Sequence, residues 1–211
     1  MKLIFSVEAL APQLTGIGRY TWELAQRLPA HEALEGVDFY RSGRWVTDLT
    51  KLLQSTPAAR AAKTFRLRNP LRWPRWARDL SMSRACRGRV FHGPNFFLPA
   101  CADLGVITVH DLSVFKFPET HPVERVRQFE RDFSRSLARA AHVVTDSQTT
   151  RAEVMAFTGL DASRVTAVPL GVSDKYMPRA ASRIYATDLQ SGQQRAACIC
   201  LTHRAVPQLP G

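Results

Sequence analysis

Short apolar runs rich in β-branched residues recur along the chain, and each ends in polar residues or glycine. The clearest run, residues 106–109, lies between Gly105 and the polar pair His110-Asp111. Such a run predicts a buried parallel strand whose carboxyl end delivers polar groups to a crevice. Further strands are predicted at residues 3–7, 37–40, 90–92, 141–145 and 164–169.

Between these runs, apolar residues recur at helical spacing. A first helix is predicted over residues 19–28, ended by Pro29, and a second over residues 123–140. A third begins near Ser147 or Thr149, either of which can cap it, and ends before Gly159. The apolar stripe of the second helix is Phe129, Phe133 and Leu137. Alternation of strands and helices predicts an α/β fold with a Rossmann-like, doubly wound parallel sheet.

Composition narrows the class of protein. The chain has 211 residues and is 45% hydrophobic, which is enough for a sizeable core. No apolar run has the length of a membrane span, and the first run is too short for a signal peptide. The four cysteines lack a C-x-x-C pair, so they are expected as free thiols in a reducing compartment. A cytoplasmic protein is therefore expected.

The formal net charge of +11 predicts a basic face or an anionic partner. Ten Lys and Arg residues lie between Arg60 and Arg89, with Asp79 as the one acid, and Trp, Phe and Leu side chains alternate with them. Three interpretations stay open. The segment could lie on anionic lipid, form a solvated face with its aromatic rings in the core, or bind nucleic acid. No nucleic-acid motif accompanies it, so nucleic acid is not the expected partner.

Candidate chemistry lies at the predicted strand ends. His110 follows the central strand, where ligands bind in open α/β sheets, although a strand-end histidine can also be a capping or core residue. Gly16 and Gly18 lie between the first strand and its helix, where backbone N–H groups favour phosphate. A tight turn before a helix is the alternative, because the full G-x-G-x-x-G pattern is missing.

Several segments together resemble the N-terminal domain of the retaining GT-B glycosyltransferases of family four, the mannosyltransferase-like group. Their order and spacing agree over residues 1–178. The segments are 16–20 (GIGRY), 90–95 (VFHGPN), 108–112 (TVHDL), 118–122 (PETHP), 145–153 (TDSQTTRAE), 168–174 (VPLGVSD) and 176–178 (YMP).

The resemblance implies transfer of a mannose-like sugar from a nucleotide sugar to a lipid-linked or polysaccharide acceptor. It implies no metal and no cofactor besides the donor substrate. The candidate catalytic residues are His110 and Asp111. The candidate substrate- and phosphate-binding residues are Gly16, Gly18, Arg19, His92 and Asn95. The segment from Arg60 to Arg89 would lie on the cytoplasmic face of the membrane, where lipid-linked acceptors are found.

The chain departs from this family near Pro178. Residues 1–178 are predicted to form the acceptor-side domain, half of a GT-B fold, and the second domain is not expected in this chain. Residues 179–211 show no sustained period, which indicates a frameshift, a truncation or a short natural tail that is disordered. Because catalysis needs both substrates held together, the chain alone is expected to be inactive. The alternative is a non-catalytic acceptor-binding module, or a half-enzyme that pairs with a separate donor domain.

Overall fold

The computed structural model describes residues 1–54 and 75–172, without the side chains of residues 75–78. Residues Met1–Leu170 form one compact unit. The strands are β1 (Lys2–Ser6), β2 (Gly36–Arg41), β3 (Arg44–Val46), β4 (Val90–Gly93), β5 (Leu104–Val109), β6 (Ala140–Thr145) and β7 (Val165–Ala167). The helices are α1 (Gly16–Arg27), α2 (Thr50–Gln54), α3 (Arg75–Cys86), α4 (Ser113–Lys116), α5 (Val123–Arg139) and α6 (Gln148–Thr158).

The strands form one seven-stranded sheet in the order β3-β2-β1-β4-β5-β6-β7. Every neighbouring pair is parallel except β2 and β3, which form an antiparallel hairpin. The chain adds strands in one direction from β1 to β3 and in the other direction from β4 to β7. The order therefore reverses between β1 and β4, and ligands bind outside the carboxyl ends of the strands at such a switch point. This topology confirms the predicted doubly wound, Rossmann-like sheet.

The core has one layer on each face of the sheet, because successive strand residues point to opposite faces. On one face, Leu3 and Phe5 pack with Ala25 of α1 and with partly buried residues of α2. On the other face lie Ile4, Phe91, Ile107, Val109 and Val143 together with residues of α3 and α5. The predicted stripe of α5 is confirmed, with Phe129 and Phe133 buried and Leu137 partly buried against the same cluster.

Local capping explains where the helices begin and end. Thr15 caps α1 by accepting from the N–H of Gly18, so the helix begins at Gly16, three residues before the predicted start. Ser147 caps α6, and Gly159 ends it in the left-handed conformation with φ 69°, as predicted. The short elements β3 and α2 were not predicted.

Two predictions fall largely outside the described residues. The basic segment from Arg60 to Arg89 is described only in its last part, where Met82 and Cys86 of α3 are buried in the core. The tail at residues 179–211 lies entirely outside. Among the helices of residues 1–54 and 75–172, none is long and apolar enough to cross a membrane.

Candidate functional site

The site is built where β4, β5 and β6 end side by side. Val109 pairs with Thr145 in the parallel register of β5 and β6. His110 and Asp146 therefore leave the sheet as neighbours. The Nδ1 atom of His110 lies 2.7 Å from Oδ2 of Asp146. The predicted strand-end histidine thus has a carboxylate partner from the next strand.

The second ring nitrogen of His110 is also engaged. Its Nε2 lies 2.9 Å from the carbonyl oxygen of Pro94, in the loop after β4. The rings of Tyr20 and Phe96 contact the imidazole edge-on, with centroids 5.0 Å and 5.9 Å away. The side chain of His110 is 10% exposed, so its orientation is fixed by protein on most sides. A ligand that binds through Nε2 must replace the Pro94 carbonyl.

A buried polar cluster lies directly behind His110. The Thr108 hydroxyl is 2.9 Å from Nε2 of His92 and 3.3 Å from the Tyr20 hydroxyl. Burial, and to a smaller extent the nearby His110, lower the pKa of His92 to about 4. Burial also raises the pKa of Tyr20 above its usual value. Near pH 7 this cluster is uncharged, and it joins α1 to β4 and β5 beneath the site.

The predicted substrate role of His92 stays a prediction. Its contacts in this structure are with Thr108 and with the ring of Phe5, whose centroid lies 5.3 Å away. Both contacts are with protein groups, which is how a packed histidine that supports the site behaves.

The predicted glycine loop is the first turn of α1. The Gly18 N–H donates to the Thr15 hydroxyl at 3.2 Å. A Cβ atom at Gly18 would lie 3.1 Å from the Ala9 carbonyl oxygen, so glycine permits close packing of the helix on its loop. Gly16 is exposed, and its Cβ position meets nothing within 4 Å. Arg19 is exposed and lies 3.5 Å from Glu23.

Asp111 and Asn95 lie near His110 but on separate contacts. The Asp111 Oδ1 atom accepts from the Ser113 N–H at 2.8 Å and from the Ser113 hydroxyl at 2.6 Å. That hydroxyl also lies 3.1 Å from Nε2 of His121, so Asp111 organises the loop around α4. Asn95 follows the Pro94 carbonyl and faces a groove beside α5. His110 is thus brought together with Asp146, rather than with the adjacent carboxylate of Asp111.

The sequence reasoning did not assign roles to Asp146, Tyr20 or Thr108. The signal for Asp146 was present, because two neighbouring strands that both end in polar residues place those residues at one sheet edge. Tyr20 and Thr108 gave no such signal, since their pairing depends on how α1 crosses the sheet. No group of three His, Cys, Asp or Glu side chains in the described ranges is placed to hold a metal ion.

The comparisons with known proteins agree with this geometry. The sequence model of Glycosyltransferase Family 4 matches residues 14–176. The O-antigen chain mannosyltransferase B of Escherichia coli is 32% identical over 189 residues, covering 85% of this chain. The alignment covers 49% of that relative, so the chain spans about half the length of the curated protein it matches. The matched residues contain every strand of the sheet except β1.

Proposed function

The chain belongs to Glycosyltransferase Family 4, and from that membership we propose that it is the acceptor-side half of a mannosyltransferase-like enzyme. The donor is a nucleotide sugar, and the acceptor is lipid-linked or a growing polysaccharide. The choice of mannose rests on the relative named as an O-antigen chain mannosyltransferase. The observation that carries the proposal is His110, held by Asp146 and the Pro94 carbonyl at the carboxyl edge of the sheet.

The reaction breaks the bond between the sugar and the departing diphosphate, so negative charge develops on the diphosphate. The amino-terminal end of α1, which begins at Gly16, favours such a charge through its N–H groups. Arg19 lies on the first turn of the same helix and is exposed, so its guanidinium is free to turn towards an anion. These groups support the phosphate side of the proposed site.

His110 serves the sugar side of the proposed site. Because its ring is fixed by Asp146, Tyr20 and Phe96, the Nε2 edge needs little reorganisation to meet a hydroxyl. A sugar hydroxyl would replace the Pro94 carbonyl as the partner of Nε2. Asp111, at the start of the loop that follows His110, is proposed to shape the same edge.

A second candidate is favoured by the length of the match. Since the chain corresponds to about half of its relative, the donor pocket would come from a second domain. Without that domain the two substrates are not held together, and turnover by this chain alone is expected to be negligible. The chain would then act as an acceptor-binding module or as a half-enzyme. We place it in the cytoplasm, with the segment from Arg60 to Arg89 on the anionic membrane surface.

The test combines this chain with the separately produced second half of the E. coli relative. Transfer is measured from labelled nucleotide sugars to a lipid-linked mannoside. The chain alone should give no product, and the combination should restore transfer. In the combination, His110→Ala should lower kcat/KM about 100-fold or more, while the exposed His31→Ala should not change it.

The outcomes separate the two candidates. Turnover that His110→Ala changes by only a few-fold would assign His110 a structural role. If neither partner nor donor restores transfer while mannosides still bind, the non-catalytic module is favoured.

A further inference from the structure

A groove of about 540 Å³ lies between α5 and the loop that follows β4. Glu8, Asn95 and Arg125 lie along it, and they follow β1, follow β4 and begin α5, respectively. All three positions belong to the carboxyl edge of the sheet. The groove therefore opens at the same edge as His110, and its volume lies in the range of small-ligand sites.

From this edge the groove follows α5 across the molecule. The helix runs antiparallel to the strands, and its groove-lining positions include Gln128 and Arg135 between Arg125 and Arg139. At 1.5 Å per residue, the span from Arg125 to Arg139 is about 21 Å. A ligand that begins at His110 can thus continue along the helix for several sugar units.

One short segment connects the groove to His110. The Pro94 carbonyl contacts Nε2 of His110, whereas the next residue, Asn95, lines the groove. Phe96 packs against His110, and Phe97 lines the groove. The segment therefore separates two connected sites, with alternate residues serving each.

The lining has the chemistry that recognises sugars. Asn95 and Gln128 contribute amides, which both donate and accept, as sugar hydroxyls do. Glu8 adds a carboxylate acceptor, and Arg125 and Arg135 add guanidinium donors. The rings of Phe97 and Phe129 add apolar surface against which the C–H face of a sugar can pack. Arg125 itself lies over the Phe129 ring, 5.3 Å from its centroid.

Charge in the groove is mixed, which favours a neutral ligand. Its arginines at 125, 135 and 139 are accompanied by Glu8 and Asp132. Arg139 is already committed to the Leu98 carbonyl at 2.8 Å, and Arg135 lies 3.9 Å from Asp132. A phosphate site would combine cations without facing carboxylates, and a lipid chain would need a continuous apolar wall.

We propose that this α5 groove binds neutral sugar units of the acceptor glycan, beyond the unit at His110. The inference rests on the proposed function, because it names the part of the acceptor that this domain holds. It also gives the acceptor a direction, from the sheet edge at Arg125 towards Arg139. Longer acceptors would then bind more tightly than short ones.

The test is an NMR titration of the 211-residue chain with α-linked mannobiose and mannotetraose. Mannotetraose should bind about tenfold more tightly, which corresponds to about 1.4 kcal/mol of added contacts. Gln128→Ala should weaken mannotetraose about fivefold, as expected for one lost hydrogen bond, and should leave mannobiose unchanged. Gln128 is exposed, so the variant should fold, and the matched control is the exposed helical Gln26→Ala.

Equal affinities for the two oligosaccharides, or no effect of Gln128→Ala, would overturn the groove assignment. Displacement of mannotetraose by pyrophosphate from the Gln128 position would also overturn it, in favour of an anion site. Transfer activity without Gln128-dependent binding leaves the proposed enzyme and removes the groove. Gln128-dependent binding without any transfer keeps the groove as a glycan site and removes the proposed enzyme.

Discussion

At the scale of single residues, the contact between His110 and Asp146 sets the geometry of the candidate site. The Nδ1 hydrogen of His110 faces the Asp146 carboxylate across 2.7 Å, a distance typical of a charge-assisted hydrogen bond. Nothing else on that side of the ring is described as a hydrogen-bond partner within residues 1–54 and 75–172. Asp146 is therefore the residue that we expect to position the imidazole.

Asp146→Asn tests this positioning role. The amide keeps the shape of the carboxylate but not its charge, so the Nδ1 hydrogen should lose its strong acceptor. In proton NMR, the downfield resonance of that hydrogen should disappear or move strongly upfield. The free energy of unfolding should fall by about 2 kcal/mol, because a hydrogen bond to a partly buried charged group is lost.

Asp111→Asn is the matched control for that experiment. Asp111 directly follows His110, yet its Oδ1 atom bonds to Ser113. The His110 resonance should therefore persist in this variant. A resonance that is equally strong in wild type and in Asp146→Asn would mean that the carboxylate does not hold the ring.

At the scale of elements, the strand β4 and the loop after it must approach very closely. A Cβ atom at Gly93 would lie 2.2 Å from the backbone carbonyl oxygen of Phe97, a distance that real atoms do not reach. Gly93→Ala must therefore displace the loop, and with it the Pro94 carbonyl that contacts His110. We expect a loss of about 3 kcal/mol in the free energy of unfolding, measured with urea.

Gly36→Ala is the corresponding control within a strand. Gly36 begins β2, and a Cβ atom there meets nothing within 4 Å. Its unfolding free energy should stay within about 0.5 kcal/mol of wild type. Equal stabilities of the two variants would show that the loop after β4 can yield without cost.

Element by element, the sequence predicted the parts of the fold that carry long or repeated patterns. The central parallel strands and the stripe of α5 have clear periods, and both are confirmed. The hairpin to β3 escaped because its turn contains Ser42 at φ 47°, where Asn or Gly would have given a signal. Helix α2 has five residues, too few for a helical period to be visible.

The candidate site divides along the same line. His110 was predictable because a polar residue ends an apolar run. Its partner Asp146 depends on the register of β5 against β6, and the Pro94 carbonyl depends on a backbone position. Tertiary register of this kind leaves no mark in local sequence, so only the first of the three contacting groups was named.

At the scale of the whole molecule, the buried cluster behind the site makes stability depend on pH. The pKa of His92 is about 4 in the folded chain, whereas an exposed histidine titrates near 6.5. Between these values the unfolded chain binds a proton at His92 that the folded chain excludes. Stability therefore rises with pH in this window and is lost as the pH falls from about 6.5 towards 4.

His92→Gln should remove this part of the pH dependence, because an amide does not titrate yet can still bond to Thr108. Each unit of pKa shift corresponds to about 1.4 kcal/mol, and partial exposure of His92 reduces the total to about 2 kcal/mol. The unfolding free energy, measured in urea at pH 4.5 and pH 7, should fall less in His92→Gln than in wild type. The exposed His31→Gln should behave as wild type. If wild type and His92→Gln lose the same stability over this range, His92 takes up its proton in the folded chain, and the cluster behind His110 carries charge at mildly acidic pH.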